Sequence, residues 1–237
     1  MAPHTKQQTD RQRVIFADLF HNETTAWLVL ALSLAVTALG WWLSSQAIEK
    51  RANDRFTYEV RDAQERIQTR IKQYEQLLRG GVALFDAGQN VTRQVWRAYV
   101  DTLNLQEELP GVQGFAFAQR VDEADLADHM ASIRAEGFEN YMVSPTGARS
   151  VYFPITLIEP FDTRNQRAFG FDMFSEPVRQ QAMARAMDTG QATVSGLVRL
   201  KQEDQGNPRP GFLIYLPVYY PGFDLNTEAA RRQAIRG

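Results

Sequence analysis

Residues 111–121 read GVQGFAFAQRV and residues 177–190 read PVRQQAMARAMDTG. The first is rich in Phe, Ala and Val around a central Gly114, follows the stop Leu109-Pro110-Gly111, and predicts a strand. The second places Pro177 in a first turn behind Ser175 and closes on Asp188-Thr189-Gly190, which predicts a helix with a glycine at its end. Working outward, strand-like segments are expected at Tyr141–Val143, Ser150–Ile158, Ala192–Leu200 and Gly211–Tyr219. Helices are expected at Arg93 to about Leu105, capped by Thr92, and at Asp122 to Glu136 with Leu126, Met130 and Ile133 on one side. Strands and helices in an order that is not a regular alternation predict an α+β domain with a largely antiparallel sheet. The polar, turn-rich stretch QEDQGNPRP (202–210) reads as a hairpin loop.

Upstream, the run AWLVLALSLAVTALGWWL (26–43) carries no charge, and its only polar side chains are Ser33 and Thr37. At about 1.5 Å per residue it matches the hydrocarbon thickness of a bilayer. Trp27 stands at one end and Trp41 with Trp42 at the other, where indoles favour the headgroup interface. A soluble core helix would show a polar stripe. A cleaved signal peptide would have a shorter apolar region and a cleaner small-residue site than Ser44-Ser45-Gln46-Ala47. An uncleaved transmembrane helix over 26–45 is therefore expected. Its orientation is left open by charge, because Lys6, Arg11 and Arg13 before the span are matched by Lys50, Arg51, Arg55 and Arg61 after it.

From Ile48 to about Leu84 the chain is charged yet periodic. Phe56, Val60, Ala63, Ile67, Ile71, Tyr74 and Leu78 recur three or four residues apart, which predicts a long amphipathic helix whose stripe is a dimer seam, a face packed on its own domain, or one after the other. Gly80-Gly81 softens the pattern.

The 237 residues carry 26 Lys and Arg against 28 Asp and Glu, a net charge of -2, with 44% hydrophobic residues and no Cys. This excludes a disordered chain, a polybasic nucleic-acid binder, zinc ribbons, iron–sulfur ligation and thiol nucleophiles. His4, His21 and His129 form no pair with metal-ligand spacing, and each is expected to be solvated. The acidic cluster Asp122, Glu123, Asp125 and Asp128 is expected to serve a helix start rather than to bind calcium. Neither Gly80-Gly81 nor Gly111–Gly114 has the context of a phosphate loop, and Ser195-Gly196 lacks a nucleophile elbow. No catalytic constellation is present in the sequence and no cofactor is implied.

Four segments, GVQGFAFAQRV from Gly111, VYFPITLIEPFDTRNQRAFGFDM from Val151, MDTGQATVSGLVRL from Met187 and GFLIYLPVY from Gly211, resemble in order and wording the CHASE domain. That domain is the extracytoplasmic sensor of membrane receptors that include plant cytokinin receptors, bacterial histidine kinases and diguanylate cyclases. The resemblance runs from about Phe56 to the C-terminus. It implies a cytoplasmic segment at 1–25, the transmembrane helix at 26–45, a signalling and dimerisation helix with its following helix at 46–106, and a PAS-like sensor module at 107–237. Sliding Phe171-Asp172-Met173 onto the L-D-M-like turn of the cytokinin-receptor branch puts Arg179 where an Asp reads adenine. An Arg offers no acceptor for an adenine amino group, so an anion such as a carboxylate is the expected ligand if Arg179 faces the pocket. Ser195 aligns with a pocket-side Thr. Phe115, Phe117, Tyr152, Phe153, Leu197 and Tyr215 are the candidate apolar lining, while Asp172 and Thr163–Asn165 are expected to serve a turn.

The expectation is thus a non-enzymatic sensor anchored by one span in the inner (plasma) membrane, its sensory module outside the cytoplasm. It binds a small molecule, dimerises with a second copy, and signals to a kinase or cyclase output that the sequence does not contain. The last residues read as lying inside the sensor, so the module is expected to be C-terminally incomplete. A membrane-tethered protein-interaction module without a small ligand is the alternative.

Overall fold

The computed structural model describes residues 23–88, 90–202 and 210–237. His4, His21 and most of the 202–210 loop lie outside the described residues. The chain divides into one unit ending at Gln68 and a second from Thr69 to Gly237.

The first unit is helical. α1 runs from Glu23 to Ala87, so its last turns belong to the second unit. Within it Thr24–Gln46 is long and apolar enough to cross a membrane, and its side chains are exposed rather than packed in a core. Beyond the apolar stretch, Phe56, Val60 and Ile67 are also exposed, at 68%, 40% and 60%. The charged faces carry i,i+4 pairs such as Arg55–Glu59 and Asp62–Arg66, which support an exposed helix.

The second unit is α+β. After α1 come α2 (Arg93–Thr102), α3 (Leu105–Glu108), β1 (Phe115–Ala118), β2 (Val121–Asp122), α4 (Leu126–Ala135), β3 (Val151–Tyr152) and β4 (Ile155–Glu159). α5 (Pro177–Thr189), β5 (Thr193–Val194), β6 (Val198–Arg199), β7 (Pro210–Gly211), β8 (Ile214–Tyr215) and α6 (Glu228–Ala234) complete it. Among the described residues four antiparallel pairs form: β1 with β4, β2 with β3, β5 with β8 and β6 with β7. The register of the longest sets Phe115 opposite Glu159 and Phe117 opposite Leu157, with an irregularity before Ala118. The pairing is antiparallel as expected, but the strands are short and pair two by two.

The reasons for the breaks are local. The expected strand Ala192–Leu200 is interrupted at Ser195, where the backbone N–H still donates to Leu213 O at 2.8 Å but the return bond from Leu213 N goes to the Ser195 hydroxyl at 2.9 Å, which itself donates to Gly196 O at 2.7 Å. Tyr141–Val143 is not a strand. Tyr141 and Val143 are buried and Met142 exposed, so the alternation is real, but only Ser144 bridges a neighbour, Phe171. α2 ends at Thr102, short of Leu105, where Asn104 takes a left-handed turn (φ 43°) that Asn tolerates better than most residues. α5 is opened not by Ser175 but by Glu176, whose carboxylate accepts from Val178 N (3.1 Å) and Arg179 N (3.0 Å). Gly190 closes it in the left-handed conformation at φ 71°.

Other expectations are corrected by packing. His129 is not solvated: it is 8% exposed, with Nε2 3.0 Å from the Tyr141 hydroxyl. Burial lowers its pKa, with Glu136 opposing. Asp122 and Asp125 make no side-chain cap bond, and Asp122 instead accepts from Arg120 Nη2 at 2.9 Å. Asp172 does serve a turn, and more. Fully buried, it accepts from Phe153 N at 2.8 Å and Phe174 N at 3.0 Å through Oδ1, while Oδ2 lies 3.0 Å from Arg149 Nε. Asn165, also fully buried, donates to Gln113 O and Pro160 O.

Gly80 and Gly81 form a notch in α1. A Cβ on Gly80 would collide with the Tyr99 hydroxyl, and one on Gly81 would stand 2.9 Å from Phe115 Cε1. The glycines let α2 and β1 approach closely enough for Tyr99 to donate to Leu77 O at 2.8 Å. Phe85, Trp96, Phe115, Phe117 and Val218 form one core here, with Tyr74, Leu77 and Leu78 packed on it. The tail is held at the same place. Arg236 N and Gly237 N donate to Val218 O, Val218 N donates to Gly237 O, and Arg120 N donates to Arg236 O.

Candidate functional site

A cavity of about 430 Å³ lies between the end of α1, β1 and the segment from Pro210 to Val218. This is within the range of small-molecule pockets. The notch decides one wall: with Gly81 at the contact, Tyr74, Leu77, Leu78, Val82 and Phe85 of α1 come up against the strands and face the space. β1 contributes Phe115 to Ala118, and α5 contributes Met183, Ala186 and Met187 along one face. Trp96 stacks on Phe115 with ring centroids 5.2 Å apart, and Phe85 lies 4.3 Å from Phe117, so the aromatic part of the wall is a mutually packed set.

Of the residues singled out from the sequence, Phe115, Phe117, Phe153 and Tyr215 stand together on this wall. Tyr152 does not. It belongs to a separate core with Val121, Ile133, Tyr141 and Val143, and its hydroxyl donates to Gly147 O at 2.9 Å. Leu197 is 72% exposed, because the strand breaks at Ser195 and the alternation that would have turned it inward is lost. Ser195 is buried behind the wall, spending its hydroxyl on the Leu213 and Gly196 backbone.

Arg179 is 3% exposed, but it is not on the wall. Its Nη2 donates to Arg199 O at 2.8 Å, Nη1 lies 3.3 Å from Met173 Sδ, and the guanidinium sits 5.0 Å from the centroid of Phe171. Glu176 is 3.8 Å from its Nε. Burial pulls its pKa down, while Tyr215 and Glu176 act in the opposite direction. Both terminal nitrogens of the guanidinium are therefore engaged with the protein itself, while the buried Nε has no hydrogen-bond partner among the described residues. Burial likewise pushes the Tyr215 hydroxyl far above the usual phenol range. The Trp96 indole N–H and the Tyr215 hydroxyl, both on wall residues, are shut off from solvent without a partner among the described residues.

The sequence reading missed the α1 wall and the methionines. The signal was present: Tyr74, Leu78, Val82 and Phe85 continue the stripe of α1 at helical spacing, and Met183 and Met187 stand one turn apart. Among the described residues no group of three or more His, Asp or Glu is placed to hold a metal ion.

No curated protein matches the chain. The CHASE domain family model matches residues 89–237, which covers the cavity strands, α5 and the clasped tail. Members of that family are sensory, non-catalytic domains of receptor-type signalling proteins, extracytoplasmic in their membrane receptors. With the match spanning more than half of its residues, the chain belongs to the CHASE domain family.

Proposed function

We propose that this chain is the input half of a membrane receptor. Its PAS-like module binds a small molecule outside the cytoplasm, and α1 passes the event to an output domain of the histidine kinase or diguanylate cyclase type. The observation that carries the reading is the make-up of the cavity, one wall of which is α1 itself between Tyr74 and Phe85. A ligand seated there touches the element that continues toward the apolar segment Thr24–Gln46, so its binding energy acts directly on the helix that has to move. In this reading residues 26–45, within the apolar segment Thr24–Gln46, cross the inner membrane, residues 1–25 face the cytoplasm, and the exposed stripe Phe56, Val60 and Ile67 meets the same stripe of a second copy.

The chain has no cysteine, so single cysteines are unambiguous probes. Cysteines placed one at a time at Phe56, Val60 and Ile67 should crosslink across a dimer in membrane vesicles. The ratio among the three should change when a ligand that raises the melting temperature is added. A crosslinking ratio unmoved by a saturating, stabilising ligand would refute transmission through α1.

A further inference from the structure

His129, buried on α4, meets Tyr141 with the two rings edge-on, 5.7 Å between centroids, and Nε2 3.0 Å from the hydroxyl. Burial pushes the Tyr141 hydroxyl far above the usual phenol range, so it keeps its proton, and it has no second partner among the described residues. The hydroxyl therefore donates to Nε2 of a neutral ring. An imidazolium carries a proton on each nitrogen and accepts nothing. A proton taken up by His129 reverses this bond and leaves the phenol proton without an acceptor.

The cluster closes on itself. Tyr141 packs on Phe169 at 4.8 Å, and the Arg93 guanidinium lies 5.0 Å from the Phe169 ring and 4.5 Å from that of Phe138. Arg93 Nε donates to Glu136 Oε2 at 2.6 Å, and its Nη1 donates to Thr156 O. Glu136 stands just past the end of α4, and its carboxylate is the charge that acts on the His129 ring. Arg93 opens α2, whose Tyr99 donates to Leu77 O of α1. The Arg93–Glu136 pair thus ties the end of α4 to the start of α2. The other charged groups nearby are turned outward or engaged. Asp128 and Arg134 on α4, Glu123 and Asp125 before it and Glu139 after it are exposed, Arg134 also giving its Nε to Tyr141 O. Asp122 of β2 is bound by Arg120, β3 brings Tyr152 with its hydroxyl on Gly147 O, and Arg167 in the turn before Phe169 is exposed.

We propose that His129, Tyr141, Glu136 and Arg93 form an acid-released latch between α4 and α2. With His129 neutral, Glu136 holds Arg93 and the two helices are tied. When His129 takes up a proton, the buried imidazolium draws Glu136 to itself as its countercharge and Arg93 is let go. α4 then opens from α2 while the core around Phe85, Trp96 and Phe115 stays folded. The latch adds a response to acidity to the proposed sensor, and it rests on that reading only in placing the module outside the cytoplasm, where its pH is that of the surroundings.

The test follows hydrogen exchange of the full chain in lipid nanodiscs from about pH 8 to about pH 5, as protection factors corrected for the intrinsic rate. In parallel, the His129 ring is titrated by NMR with isotope-labelled histidine. Amides of α4, and those of Val95 and Trp96 at the start of α2, are expected to lose protection several-fold while those of β1 and β4 keep theirs. The step is expected to follow the His129 titration, below the ordinary value of about 6.5, since burial lowers it. His129→Gln, whose amide oxygen accepts the Tyr141 proton at every pH, is expected to remove the step. Glu136→Gln, at a half-exposed side chain, is expected to leave α4 poorly protected at neutral pH and to move the His129 midpoint down, because it removes the charge that opposes the burial. α4 protection unchanged by acid, a step that persists in His129→Gln, or an equal loss throughout residues 69–237 overturns the latch. If His129→Gln does not fold, an unmoved midpoint in Glu136→Gln overturns it instead. No ligand is present in these measurements, so failure of the latch leaves the ligand reading standing, and failure of the ligand reading leaves the latch.

Discussion

Replacing Gly80 by Ala inverts the usual rule for helices. In an unobstructed helix interior the change stabilises by about 0.5–1 kcal/mol, because Gly loses more backbone freedom on folding than Ala. Here the added Cβ falls on the Tyr99 hydroxyl and stands 3.2 Å from Cζ of the same ring. Tyr99 cannot simply swing out, since its hydroxyl donates to Leu77 O at 2.8 Å and its ring lies 6.0 Å from Phe115 and 6.4 Å from Trp96. Overpacking of this kind costs about 1–3 kcal/mol and losing the hydrogen bond about 1 more, so after the helix gain the net cost is about 2 kcal/mol. For a unit of this size that is a fall of roughly 4–8 °C in melting temperature. The assay is thermal unfolding of the full chain in detergent, followed by near-ultraviolet dichroism. Ala83→Gly, at an exposed position of the same helix, supplies the propensity scale. Tyr99→Phe removes the atom that the Cβ meets first, so Gly80→Ala should cost about 1 kcal/mol less in that background. If Gly80→Ala raised the melting temperature by as much as Ala83→Gly lowered it, the close approach of α1 and α2, and with it the α1 wall of the cavity, would be refuted.

Three further outcomes follow from the buried polar groups. Asp172→Ala should destabilise by about 3–5 kcal/mol, as it strips the Phe153 and Phe174 amides of their acceptor and Arg149 of its ion-pair partner; urea unfolding measures it, and a loss below about 1 kcal/mol would place Asp172 at the surface. His129 binds its proton less readily folded than unfolded, so its contribution is complete above its ordinary value near 6.5 and is lost as pH falls below that toward the lowered folded value. His129→Gln should flatten that part of a stability–pH profile, and an unchanged slope would count against the burial. Glu176→Ala should cost about 0.5–2 kcal/mol by uncapping α5, and Glu176→Asp or Glu176→Asn should recover part of it in the same unfolding assay.

Much of this protein was legible residue by residue. An uncharged apolar run needs no partner to be recognised, and Thr92, Pro177 and Gly190 mark helix ends because capping is a matter of a few adjacent atoms. Phe115, Phe117, Phe153 and Tyr215 share one space in the structure while Tyr152 and Leu197, chosen by the same alternation, do not, and family wording correctly named the CHASE domain. What local pattern did not supply was the identity of the neighbour. Gly80-Gly81 reads as a weak point in a helix until Tyr99 and Phe115 are seen filling the space where a Cβ would stand. Leu197 reads as inward until Ser195 breaks the strand for Leu213, 18 residues away. Arg179 reads as a ligand clamp until the Arg199 carbonyl and Met173 claim it.

The sequence alone determined the apolar span, the helix stripe, the α+β class and the family, since each depends on the periodicity, composition or order of residues along the chain. The cavity and the α1 wall, with its apolar and aromatic described residues, were decided only by tertiary structure. They depend on which side chains from distant segments share one volume, and burial then sets which of their polar groups remain to be satisfied.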